Sequence, residues 1–168
     1  MKAHVHERHR SSAPSQVRCA TVTVSDTKTE ADDRSGALLR ELLAGAGHLV
    51  VSSVIVRDEP RELVDTLEGL RDAAEVVIFS GGTGLTHRDS TPEALLPLID
   101  KPLPGFGELF RMLSFEEIGS AAIMSRAFAG ASRGLMVFAL PGSPAGVRLA
   151  MTRIILPELG HTQEQLRR

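Results

Sequence analysis

The chain has no tryptophan, no tyrosine and only one cysteine, Cys19, among its 168 residues. A single cysteine excludes an internal disulfide framework and any zinc or iron–sulfur site built from several cysteines. Long apolar runs are also lacking, because none approaches the ~20 residues that span a bilayer or resembles a signal peptide. The formal net charge is only −2, so no broad basic surface is available for nucleic acid or for an anionic membrane. We therefore expect a cytoplasmic protein.

The remaining composition is that of one globular domain. A chain of 168 residues with 42% hydrophobic residues is long enough to bury a sizeable core. Residues 1–16 are polar and lack hydrophobic periodicity, so we predict a disordered tail there and a single domain over residues 17–168. The tail contains His4, His6 and His9. Without a fixed scaffold, these histidines do not predict a metal site.

Apolar runs, several of them rich in β-branched residues, alternate along the chain with stretches of helical periodicity. The predicted strands are residues 17–24, 49–56, 76–79, 118–125 and 135–140. The predicted helices are residues 35–45, 60–73, 92–99, 106–115 and 144–156, followed after Pro157 by a short closing helix. This alternation predicts an α/β three-layer sandwich with a mostly parallel central sheet and helices on both faces. The acidic stretch 30–33 is expected to be a solvated connection.

A glycine-rich loop follows the run 76–79. It reads Ser80-Gly81-Gly82-Thr83-Gly84, and Thr91 and Pro92 further on are typical of an N-cap and a first helical residue. Three glycines allow backbone amides to turn toward an anion, and the start of the next helix adds a positive dipole end. The loop is neither a P-loop nor a dinucleotide-binding fingerprint. It predicts a phosphate site of another kind, although a turn that needs glycine only for its geometry remains possible.

Polar residues also follow the other predicted strands. They are Ser25 and Asp26, Asp58, Asp89 shortly after the glycine loop, Ser125 and Arg126, and Pro141, Gly142 and Ser143. Because carboxyl ends of parallel strands meet at one sheet edge, we expect one ligand site there. Asp58 and Asp89, if about 4 Å apart, would repel each other by about 4 kcal/mol at an effective dielectric of 20. A bound Mg²⁺ would remove this repulsion, unless one of the two carboxylates points to solvent.

Taken together, these motifs resemble the MogA/MoaB family of molybdenum cofactor biosynthesis proteins, and most closely its MoaB branch. The matching stretches are Thr23-Val-Ser-Asp26, Asp58-Glu59, Gly81-Gly-Thr-Gly84, Arg88-Asp89, Thr91-Pro-Glu-Ala94, Pro104-Gly-Phe-Gly-Glu108, Ser125-Arg126 and Leu140-Pro-Gly-Ser-Pro144. They cover nearly the whole chain after residue 16. The occurrence of all these motifs in one order is far more specific than any one motif alone.

The resemblance implies a function and a set of site residues. It implies Mg²⁺-ATP-dependent adenylylation of molybdopterin with release of pyrophosphate, in which Asp58 and Asp89 are catalytic and hold the metal. The implied substrate- and nucleotide-binding residues are Ser25, Asp26, Gly81, Gly82, Thr83, Gly84, Ser125, Arg126, Pro141, Gly142 and Ser143. Phosphoryl-type transfer needs alignment and charge neutralisation more than a protein nucleophile, which agrees with these residue types.

The resemblance also implies partners, and it leaves alternatives open. A homotrimer or hexamer is implied, with the molybdenum-insertion protein of the pathway as a possible partner. The main alternative is a non-catalytic molybdopterin-binding or carrier protein that uses the same crevice. A different nucleotide-cleaving enzyme on the same fold, as in CinA-like proteins, is a third hypothesis. The Arg88-Asp89 pair favours the molybdopterin group over it.

Overall fold

The computed structural model describes residues 16–168. Its strands are β1 (Arg18–Val24), β2 (Leu49–Val56), β3 (Val76–Ser80), β4 (Lys101–Pro102), β5 (Phe128–Ser132) and β6 (Leu135–Leu140). Its α-helices are α1 (Arg34–Gly45), α2 (Pro60–Leu70), α3 (Thr91–Leu95), α4 (Pro104–Ile118), α5 (Pro144–Ala150) and α6 (Leu156–Leu166). Short 3₁₀ segments follow α3 and α4, and a π-helical segment joins α5 to α6. The histidines of the predicted tail lie outside the described residues.

The six strands form one sheet in the order β2-β1-β3-β6-β5-β4. The first four strands in that order are parallel, whereas β5 and β4 are antiparallel to their neighbours. The prediction of a mostly parallel α/β sheet is therefore confirmed. Val24, Val56, Ser80 and Leu140 end the parallel strands on a common edge. Within residues 16–168, no helix has both the length and the apolar character needed to cross a membrane.

Two apolar layers cover the sheet. Val76 and Ile78 face one core, which contains side chains from α1, α4, α5 and α6. Val77 and Phe79 face a second core that contains α2 and α3. All four side chains are fully buried because β3 lies in the middle of the sheet. This explains the continuous apolar run that predicted a parallel strand.

The prediction of a strand over residues 118–125 is wrong. That segment is the end of α4 and a 3₁₀ helix, Gly119–Met124. Two strands were missed, the two-residue β4 and β5. β5 joins β6 through a two-residue turn, Arg133-Gly134, in which both residues have positive φ. Four of the five residues of β5 are small, and Gly130 has no room for a side chain, because a Cβ there would lie 2.4 Å from a methyl carbon of Ile99, just before β4. Small residues carry little β-propensity, which hid this strand.

Two predicted helix boundaries also change. The N-cap of α3 is Ser90 rather than Thr91, whose hydroxyl instead donates a hydrogen bond to the Gly81 carbonyl at 3.0 Å. Pro157 does not interrupt the helical path, which runs from Pro144 to Leu166 through the π-helical segment Met151–Ile155. The wider π turn precedes the proline, whose ring would otherwise clash with the carbonyl four residues earlier.

Candidate functional site

A cavity of about 550 Å³ opens at the carboxyl edge of the parallel strands. Most of the residues predicted from the sequence line it, namely Ser25, Gly81, Gly82, Thr83, Gly84, Asp89, Ser125, Pro141, Gly142 and Ser143. Asp26, Asp58 and Arg126 are not in its lining. The strand ends therefore converge as expected, but three of the predicted charged residues stand outside the cavity wall.

Gly81 and Gly82 are needed for the shape of the loop. Gly81 has φ +115°, and a Cβ there would lie 2.3 Å from the carbonyl oxygen of Val24. Gly82 has φ +65°, and a Cβ there would lie 2.3 Å from the hydroxyl oxygen of Thr91. Both residues combine a backbone conformation that side chains disfavour with a close approach of neighbouring atoms. The glycine loop is thus packed tightly against β1 and the start of α3.

Only part of the loop backbone is available to an anion. The Gly81 amide donates to the Leu140 carbonyl at 3.0 Å, and the Gly84 amide donates to the Asp89 carboxylate. Among the described residues, the amides of Gly82 and Thr83 have no hydrogen-bond acceptor. An incoming anion can therefore be bound by two adjacent backbone N–H groups, which is the arrangement of an anion-binding nest.

The hydroxyl of Ser25 is oriented toward donation. Its oxygen accepts hydrogen bonds from the backbone amides of Thr27 at 3.3 Å and Lys28 at 3.1 Å. Because these amides use the acceptor capacity of the oxygen, its O–H is free to donate to a ligand. An ionised phosphate oxygen accepts hydrogen bonds and has no proton to donate, so it needs a donor of this kind. Ser25 is therefore a suitable phosphate contact.

The Asp58 carboxylate lies at the N-terminus of α3, where the sequence predicted a bound anion. One oxygen of its carboxylate accepts hydrogen bonds from the backbone amide of Ser90 at 3.1 Å and from its hydroxyl at 2.7 Å. The positive end of the short helix α3 is thus neutralised by Asp58 rather than presented to the cavity. Asp26 lies close by, where it accepts from the Asp58 amide at 3.2 Å and pairs with Arg88 at 2.8 Å.

Asp89 does face the cavity. Its carboxylate accepts hydrogen bonds from the Thr86 amide at 2.8 Å and from the Thr86 hydroxyl. Partial burial acts to raise its pKa, but the hydrogen bonds from Thr86 and Gly84 and the charge of Arg126 outweigh that effect, so the pKa is lowered. Asp89 is therefore ionised at neutral pH and presents a fixed negative charge to any ligand.

The donor set fits a magnesium ion that is bound together with a phosphate. Residues 16–168 contain no group of three or more His, Cys, Asp or Glu side chains arranged to hold a metal. Two carboxylates nevertheless flank the loop, since a Cβ at Gly82 would lie 2.6 Å from Asp58 Oδ2 and one at Gly84 2.9 Å from Asp89 Oδ2. Mg²⁺ is commonly bound by one or two carboxylates, with waters and substrate phosphates as the other ligands.

Arg126 holds the glycine loop from behind. Its Nε and Nη2 donate to the Gly84 carbonyl at 2.9 and 2.6 Å, and Nη2 also reaches the Asp89 carbonyl at 3.3 Å. Its Nη1 pairs with Glu93, and the guanidinium lowers the pKa of that carboxyl. The donors of Arg126 are thus engaged by the protein. The geometry describes a clamp on the loop instead of a side chain directed at a ligand.

The acidic stretch before α1 is not simply a solvated connection. Asp33 is buried, and its carboxylate accepts hydrogen bonds from the Gly36 amide at 2.9 Å and from the Thr23 hydroxyl at 2.6 Å. The next turn brings Ser35, whose hydroxyl donates to the Gly142 carbonyl at 2.7 Å. The start of α1 therefore anchors the loop after β6 that lines the cavity.

One wall of the cavity was missed in the sequence. It is largely apolar and comes from α4, the 3₁₀ segment and α5, with Phe110, Ser114, Ile118, Met124 and Leu149 among its members. The four-residue spacing of Phe110, Ser114 and Ile118 places them on one face of α4. That spacing was the available signal, but an amphipathic helix face equally predicts ordinary core packing.

The fold and the cavity are those of an α/β protein that binds a small ligand at the switch point of a parallel sheet. The profile of a family described as a probable molybdopterin binding domain matches residues 20–161. The chain belongs to this family, the MogA/MoaB family of molybdenum cofactor biosynthesis proteins, as its motifs predicted.

Individual relatives are similar over almost their full length. Molybdenum cofactor biosynthesis protein B of Halalkalibacterium halodurans is 50% identical over 163 residues, which cover 95% of this chain and 96% of that protein. A crystal structure of molybdenum cofactor biosynthesis protein B, also 50% identical, superposes with a TM-score of 0.89 and covers 92% of this chain and 98% of its own. The tungsten cofactor synthesizing protein MoaB from Pyrococcus furiosus is 41% identical, with a TM-score of 0.83 and coverage of 93% and 100%.

Proposed function

We propose that the protein adenylylates molybdopterin, with Mg²⁺-ATP as the second substrate and pyrophosphate as the second product. A phosphate oxygen of molybdopterin attacks the α-phosphorus of ATP and forms the new P–O bond. The bond between the α-phosphorus and the bridging oxygen breaks, and its electron pair leaves with pyrophosphate. The observation that carries this proposal is an ionised carboxylate, Asp89, beside two free amides and a donating hydroxyl in one cavity.

Different residues of the cavity would position the phosphates and the metal. The amides of Gly82 and Thr83 and the hydroxyl of Ser25 donate to phosphate oxygens and fix their positions. Asp58 and Asp89 would hold Mg²⁺, which when bound offsets negative charge on the phosphates. The hydrogen bonds from Arg126 hold the backbone of Gly84 and Asp89 at a fixed position relative to these donors.

The apolar wall suits a flat heterocycle. Phe110 and Leu149 face the cavity from two helices, and Ile118 and Met124 border it near its opening. Such a surface packs against a pterin or adenine ring and excludes water from the reacting phosphates. The cavity therefore offers a polar region for phosphate and an apolar region for a ring system.

The test is the formation of adenylylated molybdopterin from molybdopterin and Mg²⁺-ATP by the purified protein. Asp89→Asn removes the charge while it preserves the shape, so we expect a rate at least ~10²-fold lower with molybdopterin still bound. Asp65→Asn is the matched control, because Asp65 is exposed and pairs with Arg61 on α2, away from the cavity. An unchanged rate in the Asp89 variant would refute the catalytic assignment.

A second candidate is a non-catalytic molybdopterin-binding or carrier protein. It is favoured by one observation, the location of Asp58 outside the cavity lining with one oxygen bound to Ser90. In that case the parent protein should bind molybdopterin with the same affinity whether or not Mg²⁺-ATP is present, and it should form no product. Calorimetric titrations with and without Mg²⁺-ATP separate the two candidates.

We also propose that the protein forms a homotrimer, with hexamers as pairs of trimers, and that its product passes to a molybdenum-insertion protein. The support is an apolar surface on α4 and the 3₁₀ segment after it. Leu109, Met112, Phe115, Ile118 and Ile123 are all exposed there, Ile123 by 81%. Monomers rarely leave a large apolar surface uncovered. Sedimentation equilibrium should give three or six chains, and Phe115→Glu should shift the assembly toward monomer.

A further inference from the structure

Three basic side chains lie near the glycine loop, and two of them are already paired. Arg88 contacts Asp26 at 2.8 Å and Glu59 at 3.5 Å. Arg126 is bound by the Gly84 carbonyl and by Glu93. Neither arginine lines the cavity. The cations that the sequence motifs bring to the site are therefore engaged in holding the loop.

Lys28 differs from both arginines. It is half-buried and lines the cavity, and within residues 16–168 no carboxylate lies within ion-pair distance of its ammonium group. Its charge nevertheless adds to the hydrogen bonds from Thr29 that lower the pKa of Asp32. Among the described lining residues it is the only lysine or arginine, whereas Asp89 and Glu117 both contribute carboxylates. A phosphate in this cavity would thus meet two negative charges and a single positive one.

The strength of electrostatic interactions in a partly buried site makes the Lys28 charge important. At the same separation, two charges in a partly buried site interact about four times more strongly than in bulk water. Repulsion from the carboxylates would therefore oppose a phosphate that had no cation beside it. A lysine is well suited to relieve this repulsion, since its flexible stem carries a compact point charge with three donors.

The local backbone directs Lys28 and Ser25 to the same place. The Lys28 amide donates to the Ser25 hydroxyl oxygen at 3.1 Å, which closes a tight turn after β1. Both side chains then line one cavity. A hydroxyl donor and an ammonium group from one turn form a two-point contact for a phosphate.

We propose that Lys28 is the phosphate-binding cation of this cavity. The inference rests on the proposed function only for the chemical class of the ligand, a phosphate monoester or polyphosphate. It does not depend on adenylyl transfer, because a carrier protein that binds the phosphate of molybdopterin would need the same contact. The phosphate of molybdopterin and the phosphates of ATP share this chemistry.

Calorimetric titrations of the full chain test the proposal. Molybdopterin, ATP and inorganic pyrophosphate are titrated separately at several salt concentrations into the parent, Lys28→Gln and Lys101→Gln. Lys101 is the matched control, since it is an exposed lysine on β4 that lies outside the cavity. We expect Lys28→Gln to weaken binding of at least one probe by tenfold or more and to flatten its salt dependence. Loss confined to one ligand would assign the phosphate that Lys28 contacts.

A labelling experiment gives a readout that does not depend on a variant. The chain contains only three lysines, Lys2, Lys28 and Lys101, so acetylation can be followed residue by residue by mass spectrometry. Saturating molybdopterin or ATP should protect Lys28 and leave Lys101 fully reactive. Equal affinities in the parent and Lys28→Gln, or equal labelling of Lys28 with and without both ligands, would overturn the proposal.

These outcomes separate the proposal from the proposed function. If Lys28→Gln loses affinity but the parent forms no adenylylated product, the phosphate contact stands and adenylyl transfer fails. If the parent forms product and Lys28→Gln binds every probe normally, the reverse holds. Circular dichroism melting of both variants shows whether a lost affinity comes from a lost fold.

Discussion

Charged residues are used differently at the carboxyl edge of the sheet, where the parallel strands end, and at the amino edge, where they begin. At the amino edge, Glu75 pairs with Arg18 at 3.6 Å and with Arg167, while Glu68 pairs with Arg71 at 2.8 Å and with Arg133. The cavity left there has about 180 Å³. At the carboxyl edge the cavity is about three times larger, and it has carboxylates, a lysine and two free amides in its wall.

This difference separates stability from function within one sheet. At the amino edge, burial acts to raise the pKa of Glu75, but hydrogen bonds from the Arg18 amide and Arg167 lower it overall. The charged form is therefore stabilised by the fold. At the carboxyl edge, glycines with positive φ and unpaired backbone donors are retained at some expense of stability, as expected of a ligand site.

Gly81→Ala should destabilise the carboxyl edge, and we expect the largest loss of unfolding free energy from this substitution. The new Cβ would meet the Val24 carbonyl oxygen at 2.3 Å in a backbone conformation that alanine disfavours. We expect a loss of unfolding free energy of roughly 3 kcal/mol or more, because β1 and β3 must separate. Chemical denaturation at neutral pH measures it.

Gly69→Ala is the control for that substitution. Gly69 is exposed in α2, toward the amino edge, and a Cβ there would meet nothing within 4 Å. This variant should gain about 0.5–1 kcal/mol, since alanine is the better helix former. If both variants were equally stable, the tight packing assigned to the glycine loop would be incorrect.

Arg126→Lys should destabilise the carboxyl edge less than Gly81→Ala does. Lysine keeps the charge but loses the two-nitrogen contact with the Gly84 carbonyl, so we expect about 1–2 kcal/mol of destabilisation and faster hydrogen exchange over residues 84–90. At the amino edge, Arg133→Lys should cost less, because Arg133 is 61% exposed. Weaker phosphate binding without faster exchange would instead make Arg126 a ligand contact, as the sequence predicted.

Much of the carboxyl edge could be predicted because its signals are local. The strands that end there are apolar runs with β-branched residues, and their bounds were found within one residue. Glycine and hydroxyl residues follow them directly, so the parallel topology alone brings Ser25, Gly82 and Ser143 to one cavity.

The remaining features depend on contacts between distant segments. Four of the five residues of β5 are small, and its pairing is set by β6 and by the close approach of Ile99 to Gly130. The role of Arg126 depends on a carbonyl 42 positions away. Lys28 stands out only when the pairing of the neighbouring arginines is known. No periodicity or motif carries that information.

Acid titration should show the smallest effect, and it tests the amino edge. Hydrogen bonds from Arg71 dominate the shift at Glu68; burial opposes them, Arg133 adds to them, and the pKa falls from its ordinary 4.5 to about 2. A carboxyl whose folded pKa is depressed contributes stability that is fully present above its unfolded pKa and is lost as the pH falls toward the folded value. Urea denaturation of the parent should therefore show decreasing stability between pH 4.5 and about 2, and Glu68→Gln should have a shallower decrease, because glutamine cannot be protonated in that range. A variant that reproduced the parental pH dependence would show that the charge of Glu68 does not stabilise the amino edge. The contrast between the ion pairs of the amino edge and the open cavity of the carboxyl edge would then rest on Glu75 alone.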